Sequence, residues 1–396
     1  MQKTTDMKLL YINDELATGD GSNSHAVGML RAFESILGKN NVVAYPQPQD
    51  GSSKPVNLGA NKLKSKLRAP LAVVRYFRKK YLSMKKCKEI CRELTEKGFT
   101  PTHILARSTD FDVTAIHVAK KFKAKLIYEI NTPMFYERGV LKKEPMVKQI
   151  EAWEKRIIDA SDYVYVVSNI CRNMLCDHYH VPKDKFVVIP NGYMGELYHE
   201  SDGERKKIRD KIRTNDGLTD KFVVTFVGSL KIWHGIKSFC ETAQAMETEK
   251  DVVFLVLGDG EMHDMIANYA NTHGNMIFKG KVNLETMKEY LYASDLGIMP
   301  YEKKDNFYYS PLKMYDMIGA GLPFIGTKVG QIEEYSSSEL SDDFLCNNPS
   351  VDSFCAAIIN VKSDNSVMEN MQHQVNERKE YASWERRSQN LLRAIQ

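Results

Sequence analysis

The amino-acid sequence predicts an α/β protein with two domains, each built on a parallel sheet that helices cover on both faces. The chain has 396 residues, too many for one compact core, and its 43% hydrophobic and 27% charged residues are typical of a globular protein. Short apolar segments alternate with helical patterns along most of the chain, as in parallel sheets with helical crossovers. A polar stretch interrupts this alternation and predicts a domain boundary near residues 193–205.

The first half begins with a strand, a loop and a helix. The apolar run MKLLYIN precedes the glycine-rich GDGSNSH, and in the following AVGMLRAFESIL the residues Val27, Leu30, Phe33 and Leu37 recur at helical spacing. Helices are predicted at VTAIHVAKKF and VKQIEAWEKRIIDA. Further strands are predicted at THILAR, KAKLIYEI, YVYVVS and KFVVIP.

The second half repeats this rhythm after the polar segment HESDGERKKIRDKIRTNDGLTD, which predicts a linker and a helix. Its strands are predicted at KFVVTFVGS, DVVFLVLGDG, NMIFKGKV, DLGIMPY and LPFIGT, and an amphipathic helix at SWERRSQNLLRAI ends the chain. The predicted extents are 1–195 and 196–375 for the domains and 376–396 for the terminal helical segment.

The charge is distributed unevenly. The net charge is only +4, but residues 61–92 carry twelve Lys or Arg and a single acid, Glu89, for a local charge of +11. The rest of the chain therefore carries −7. Within this basic segment, apolar residues recur at steps of three and four, which predicts a basic amphipathic helix. They are Leu67, Leu71, Val74, Phe77, Tyr81 and Met84.

Four segments that follow predicted strands carry small or polar residues suited to binding phosphate: GDGSNSH, GSLKIWHG, GDGE and YYSPLKMYDMIGAG. Small residues allow a close backbone approach, and the start of a helix offers unpaired N–H groups and a positive dipole end. Each segment alone is more typical of a turn. Their order and spacing together indicate a phosphate site.

In the second half, VVIPNGY, FVGSLKIWHGIKSF, LVLGDGE, FKGKVNLETMKEYLYASDLGIMPY, SPLKMYDMIGAGLPFIGT and SWERR resemble the donor domain of a family 4 glycosyltransferase of the GT-B fold. The first half is similar more loosely, through residues 19–24, YEINTPMFYERG and VVSN. The resemblance implies two Rossmann-like domains facing across a cleft, with a C-terminal helix crossing back to the N-terminal domain. It also implies a nucleotide-sugar in the C-terminal domain, an acceptor in the N-terminal domain, and retention of anomeric configuration.

The family carries two Glu residues separated by seven positions, of which the second usually holds the ribose and the first a sugar hydroxyl. Asp316 matches the second position and is expected to bind the ribose, the alternative being a solvated helix residue. Tyr308 occupies the first position, so that carboxylate is absent, and Tyr308 or a backbone N–H is the candidate replacement for the sugar contact.

The family often binds the diphosphate with an Arg and a Lys, which are Ser229 and His234 here. Lys231 and Lys313 are expected to supply the positive charge instead, with Lys231 alternatively an exposed turn residue. His234 is either a phosphate donor or a turn residue packed beside Trp233. The full set implied for the donor is Gly21, Ser22, Gly228, Ser229, Lys231, His234, Gly258, Lys281, Val282, Tyr308, Tyr309, Ser310, Leu312, Lys313 and Asp316.

On the acceptor side, the family's common His after the YE strand is replaced by Asn131, a poor general base. Retaining transfer in this family is pictured as a front-face reaction in which the leaving phosphate takes the acceptor proton. Catalytic roles are accordingly expected for Asn131, Lys231 and Asp316. Acceptor contacts are expected for Asn23, His25, Asn131 and Glu137, with helix packing and a surface charge as the respective alternatives for His25 and Glu137.

No metal or other cofactor is expected. Asp110 and Asp112 resemble the metal-binding pair of the other large glycosyltransferase fold, but acids at the start of a helix favour its dipole, and we interpret them as structural. Seven cysteines without a CxxC pair indicate reduced thiols. No apolar run approaches the ~20 residues that span a bilayer, and the N-terminal sequence does not resemble a signal peptide.

The sequence thus predicts a retaining, metal-independent hexosyltransferase of cell-surface polysaccharide or glycoconjugate synthesis, with UDP ahead of GDP as carrier and a glycan or lipid-linked acceptor. The basic segment 61–92 favours an anionic membrane over nucleic acid as partner, and a cytoplasmic protein peripheral to the inner leaflet. A stripe facing the protein core is the alternative for this segment. A nucleotide-sugar epimerase and a catalytically silent nucleotide-sugar-binding scaffold are the alternative functions.

Overall fold

The computed structural model describes residues 6–17, 24–48, 68–336 and 345–396 and divides into two compact units. The first unit comprises Met1–Pro190 and Ser388–Gln396, and the second comprises Asn191–Arg387. The division falls just before the predicted boundary region, and the last nine residues group with the first unit. Both units contain a parallel six-stranded sheet with helices, which confirms the predicted α/β class.

The sheet of the first unit has the order β2-β1-β3-β4-β5-β6, and every neighbouring pair is parallel. Its central strands are short and almost fully buried because the sequence supplies apolar runs without polar alternation. The strands β1 to β6 are Leu9–Ile12, Val42–Tyr45, His103–Arg107, Lys125–Glu129, Tyr163–Val166 and Phe186–Val188.

Helices of the first unit follow the predicted periodicity. They are α1 Ser24–Leu37, α2 Arg68–Glu96, α3 Thr114–Phe122, α4 Val147–Ala160 and α5 Asn169–Tyr179. A π-helical turn at Phe135–Leu141 was not predicted; such turns are rare and occur frequently at functional sites. It interrupts the connection from β4 to α4.

The second unit has the strand order β12-β11-β10-β7-β8-β9, again with parallel neighbours. Its strands β7 to β12 are Phe222–Val227, Val252–Leu257, Met276–Phe278, Leu296–Met299, Phe324–Thr327 and Leu345–Cys346. Its helices α6 to α13 are Asp202–Asn215, Ile236–Ala245, His263–Thr272, Leu284–Ala293, Leu312–Ala320, Gly330–Ser336, Val351–Ser363 and Asn365–Ala382. The terminal helix α14, Trp384–Ala394, begins in the second unit and ends in the first.

The strand order of each sheet fixes where a ligand can bind. In the first unit, β2 lies on one side of β1 and β3 on the other; in the second, β8 and β10 flank β7 in the same way. The chain reverses its direction of travel across the sheet at these positions. Ligands of open α/β sheets bind in the crevice at such a switch point, beyond the carboxyl ends of the strands.

Helix α2 contains the described part of the basic segment. Its apolar residues Val74, Phe77, Tyr81 and Met84 are exposed, by 54% to 69% of their surface. The buried side of the helix is instead formed by residues such as Ser83, Ile90 and Leu94. The alternative of a core-facing stripe is therefore wrong for these four residues, whereas residue 67 and the side chain of Leu71 lie outside the described parts.

Across the described helices, none has both the length and the apolar character needed to cross a membrane.

Candidate active site

Two glycines of the second unit lie where no side chain fits. Gly228 follows β7 with φ of 117°, and Gly258 follows the neighbouring strand β8 with φ of 154°. A Cβ atom on Gly258 would lie 1.9 Å from the carbonyl oxygen of Gly228. Two of the predicted glycine loops therefore come together at the carboxyl edge of the sheet, where the absence of side chains lets the two loops and the Lys313 side chain pack closely.

Lys313 carries a buried amine next to these loops. Its side chain, only 7% exposed, extends from the first turn of α10, and Nζ lies 3.8 Å from the ring centroid of Phe226 and 5.2 Å from that of Tyr301. A Cβ atom on Gly228 would lie 3.5 Å from Nζ. Nζ has no hydrogen-bond partner in the described parts of the chain. Burial lowers the pKa of Lys313 to about 7, since desolvation disfavours the ammonium form.

His234 lies beside Lys313 in its neutral form. Burial and the nearby charge of Lys313 lower its pKa to about 3. Its Nδ1 lies 2.6 Å from the carbonyl oxygen of Ser229 and donates to it, so the neutral ring leaves Nε2 as an acceptor. The ring centroid is 4.1 Å from that of Trp233, which confirms the predicted packing. A neutral His234 in this tautomer does not donate to phosphate.

Several aromatic side chains pack together at the loop after β7. Trp233 stacks on Tyr309 with 4.9 Å between ring centroids, and the exposed Lys231 places Nζ 5.8 Å from the Trp233 ring. Tyr308 is fully buried, and its hydroxyl donates to that of Tyr309. The Tyr308 side chain therefore does not present its hydroxyl to a ligand here, which disagrees with the predicted sugar contact through that side chain.

The remaining donor-side predictions lie around α10. Ser310 accepts two hydrogen bonds from Asn191. The Asn191 backbone N–H donates to Ser310 Oγ (3.0 Å), and Asn191 Nδ2 donates to the Ser310 carbonyl oxygen (2.7 Å). Pro311 has no N–H, so Leu312 provides the first donor of the helix. The residues Lys281 and Val282, after β9, are exposed and half-buried.

Asp316 lies one turn beyond Lys313 on α10. Its Oδ1 accepts a hydrogen bond from the Tyr198 hydroxyl at 3.2 Å. Burial raises the pKa of Asp316 to about 7, and the bond from Tyr198 opposes this only in part. Asp316 is thus a half-buried carboxyl at the helix turn that follows the lysine, rather than a fully solvated helix residue.

In the first unit, two of the predicted acceptor-side residues, His25 and Asn131, contact Glu129, which was not among the residues predicted from the sequence. Glu129 ends β4, is fully buried, and lies with Oε1 2.7 Å from His25 Nε2, 2.7 Å from Asn131 Nδ2 and 3.2 Å from Arg107 Nη1. Burial would raise the pKa of Glu129, but His25 and Arg107 outweigh it and hold the pKa at about 2. The available signal was an acid inside the apolar run KLIYEI.

A second buried acid fixes the loop after β4. Glu154 on α4 accepts hydrogen bonds from the backbone N–H groups of Met134 (2.7 Å) and Phe135 (3.1 Å) and from the Tyr179 hydroxyl (2.7 Å). Burial raises the pKa of Glu154 to about 7 despite these bonds. Glu137 lies within the π-helical turn that starts here and pairs with Lys142 at 2.6 Å.

The contacts of Asp110 and Asp112 support their structural interpretation. Asp112 accepts bonds from the Thr114 N–H (2.7 Å) and the Ser83 hydroxyl (2.9 Å). Asp110 pairs with Arg75 at 2.5 Å and with Arg138. Within residues 6–17, 24–48, 68–336 and 345–396, no group of three or more His, Cys, Asp or Glu is arranged to hold a metal ion.

Three predicted residues, Gly21, Ser22 and Asn23, lie outside the described residues.

All seven cysteines are free thiols, as predicted.

Two family models match the chain. The model for "Glycosyltransferase Family 4" matches residues 20–193, and the model for "Glycosyl transferases group 1" matches residues 221–364. The two matches correspond to the first and second units.

Two curated proteins are similar over parts of the chain. The "Putative teichuronic acid biosynthesis glycosyltransferase TuaH" of Bacillus subtilis (strain 168) is 26% identical over 194 residues, 48% of this chain and 47% of that protein. The "Alpha-galactosylglucosyldiacylglycerol synthase" of Streptococcus pneumoniae (strain ATCC BAA-255 / R6) is 30% identical over 128 residues, 30% of this chain and 33% of that protein. The matched region thus spans about half or less of these relatives.

The fold is also found in solved structures. The crystal structure of Anabaena Alr3699/HepE in complex with UDP and glucose superposes with a TM-score of 0.63, covering 97% of this chain and 98% of that one. The sequence identity is 14%. The predicted GT-B fold, with two Rossmann-like units, is thereby confirmed.

Proposed function

Because this chain belongs to the family 4 glycosyltransferases, we propose that it transfers a hexose from a UDP-sugar to a glycan or lipid-linked acceptor with retention of configuration and without a metal ion. The observation that carries the donor assignment is the buried amine of Lys313, which has no hydrogen-bond partner among the described residues. An amine held over two aromatic rings, beside glycines at a switch point, is suited to a diphosphate.

The proposed mechanism relies on charge placement rather than on a protein base. Binding of the diphosphate favours the ammonium form of Lys313. As the sugar leaves, this ammonium and the first N–H groups of α10 stabilise the negative charge that grows on the diphosphate. The leaving phosphate takes the proton of the acceptor hydroxyl. Asn131 orients the acceptor through hydrogen bonds, a role that suits an amide because it is too weak a base to remove a proton. Lys231, exposed beside Trp233, adds a second cation.

The function is tested by screening a panel of UDP- and GDP-sugars for thermal stabilisation, followed by detection of released nucleotide. A ligand that binds only the native state raises its melting temperature. We expect stabilisation by UDP-sugars and slow UDP release in EDTA. Stabilisation without any release, with acceptors supplied, would instead favour a nucleotide-sugar-binding scaffold, and stabilisation by none would contradict the proposal.

Asp316→Ala is expected to weaken UDP binding about 10- to 100-fold, since a hydrogen bond to a charged group contributes about 1.5–3 kcal/mol. The carboxyl at this position is proposed to accept the ribose hydroxyls. Titration calorimetry with UDP measures the effect, and Asp210→Ala, an exposed acid on α6 of the same unit, is the matched control. An unchanged dissociation constant for Asp316→Ala would exclude the ribose contact.

The finer proposal of a lipid-surface location rests on α2. Its exposed Phe77 and Tyr81 lie among Lys and Arg residues, such as the exposed Arg78 and Lys80, and such a face suits an anionic bilayer. We propose that the protein is cytoplasmic and binds the inner leaflet through residues 61–92, with no role for nucleic acid.

The Phe77→Ser/Tyr81→Ser variant is expected to float with phosphatidylglycerol vesicles at least several-fold less than the wild type, because it loses apolar area that the bilayer would bury. Neither protein should float with phosphatidylcholine vesicles, and high salt should weaken the wild type. Tyr381→Ser, on α13 with a similarly exposed ring, is the control. Equal flotation of all three proteins would place membrane binding elsewhere.

A further inference from the structure

The switch point of the first unit contains a second polar site. Arg107 ends β3, Glu129 ends the neighbouring β4, and His25 lies in the first turn of α1, which follows β1. These elements place the three side chains at the carboxyl edge of the sheet, where open α/β folds bind ligands. Their contacts with Glu129 are all made to one of its two oxygens, Oε1.

Two buried hydrogen-bond acceptors of this cluster lack a donor among the described residues. Glu129 Oε2 is buried and has no hydrogen-bond partner in the described chain, and the same is true of Asn131 Oδ1. Asn131 Nδ2 already donates to Glu129 Oε1, so the amide oxygen, Oδ1, is the atom left to bond a ligand. Buried acceptors normally have a hydrogen-bond donor, and each one left without a donor destabilises the folded state, more so if it is charged. Two such atoms in one cluster indicate that a donor-bearing molecule belongs there.

The charges of the cluster decide what kind of donor fits. Arg107 Nη1 lies 3.2 Å from Glu129 Oε1 and 3.0 Å from Oε2 of the partly exposed Glu15, so a guanidinium already faces the buried carboxylate and repels an additional cation. The low pKa of Glu129, near 2, keeps the carboxylate ionised, so it accepts hydrogen bonds and is too weak a base to remove a proton from a hydroxyl. A neutral ligand with two O–H donors matches these properties. Hydroxyl groups on adjacent carbons of a pyranose supply two donors from one rigid ring.

We propose that Glu129 and Asn131 form a binding site for a pair of hydroxyl groups of the acceptor sugar. This inference rests on the proposed glycosyltransferase function and adds a residue to it. In this arrangement Glu129 Oε2 and Asn131 Oδ1 each accept one hydroxyl, while His25 and Arg107 hold the carboxylate in place. The site selects acceptors by their hydroxyl pattern and does not take part in proton removal.

The test uses three methyl glycosides, of α-D-glucose, β-D-galactose and N-acetyl-β-D-glucosamine, titrated by saturation-transfer NMR. At least one is expected to bind the wild type. Asn131→Ala should weaken it about 3- to 10-fold and Glu129→Gln about 10-fold or more, as expected for hydrogen bonds to neutral and charged acceptors. Asp159→Asn, an exposed acid on α4, is the matched control.

Monodeoxy forms of the bound glycoside distinguish direct contact from a structural effect. Removing the hydroxyl that bonds Asn131 should weaken binding to the wild type but have little effect on Asn131→Ala, because the partner is already gone. This comparison also decides the question if Glu129→Gln fails to fold. Glycoside binding that is absent in the wild type, or unchanged in both variants, would overturn the proposal and assign the two oxygens to buried water.

The same proteins are titrated with UDP to separate this proposal from the proposed function. Both variants should bind UDP within about twofold of the wild type, since Glu129 and Asn131 belong to the first unit, whereas Lys313 and Asp316, which are proposed to hold UDP, belong to the second. Normal UDP binding with no glycoside effect contradicts only the hydroxyl site. If the wild type binds the glycoside but neither binds UDP nor transfers a sugar, only the proposed function is contradicted.

Discussion

Lys313→Met is expected to lower kcat/KM for sugar transfer about 100- to 1,000-fold, the usual cost of removing one preorganised donor to a developing anion. The amine lies at the carboxyl end of β7, and a hydrogen-bond partner for it is missing among the described residues. Methionine has a similar length and flexibility but carries no charge. The loss should appear both in UDP affinity and in kcat, because charge on the diphosphate is greatest as the bond breaks.

The same substitution should leave the fold intact or stabilise it. Burial lowers the pKa of Lys313 from its unfolded value, so at neutral pH the unfolded chain binds more protons than the native one. Burying this amine therefore lowers the free energy of unfolding. Methionine removes this destabilisation. Lys237→Met, at an exposed position on α7 that is paired with Glu241, is the matched control. Unaltered kcat/KM in Lys313→Met, with unchanged melting, would assign the diphosphate to other groups.

The affinity for UDP is expected to fall as the pH rises from 8 to 10, by up to tenfold per pH unit. Burial holds the pKa of Lys313 at about 7 in the free protein, and the diphosphate raises it, so binding takes up a proton above pH 7. Above that pH the free amine must be protonated at the expense of affinity. Calorimetry in buffers of different ionisation enthalpy measures the uptake directly, and close to one proton is expected near pH 8.

Other titrating groups set the controls for this experiment. Asp316, whose pKa burial raises to about 7, ionises mainly below pH 8 and favours the ribose more as it does so, so it contributes little change between pH 8 and 10. His234 has a pKa of about 3 and stays neutral throughout. Lys313→Met should therefore lose the decrease between pH 8 and 10 together with the proton uptake. A decrease that persists in this variant would place the titrating group elsewhere.

The two sheets were predictable because their strands are nearly continuous apolar runs, which only burial on both faces explains. The sequence also identified the loops after β7 and β8 and the lysine of α10. It did not predict that the Lys313 amine is buried, since an isolated lysine in a helix is more often exposed. That property depends on Phe226 and Tyr301, which are distant along the chain and adjacent only after folding.

Glu129 and α2 show two further limits of sequence reasoning. An acid at the end of a buried strand is paired or exposed depending on its neighbours, and His25 and Arg107 come from other elements. The apolar stripe of α2 has the same periodicity whether it faces the sheet or the solvent. What decides its orientation is the opposite face, where Ser83 and Lys86 bond Asp112. Those contacts follow from tertiary structure alone.

The buried amine of Lys313 also has a practical consequence for chemical reactivity. With a pKa of about 7, roughly half of this side chain is a free, nucleophilic amine at neutral pH, against roughly one in several thousand for an ordinary lysine of pKa about 10.4. A small acylating reagent at neutral pH therefore meets Lys313 largely unprotonated, in contrast to exposed lysines such as Lys237, although burial of Nζ slows its access, and UDP should protect the amine further. Peptide mapping by mass spectrometry would turn that modification into a count of functional donor sites in a preparation.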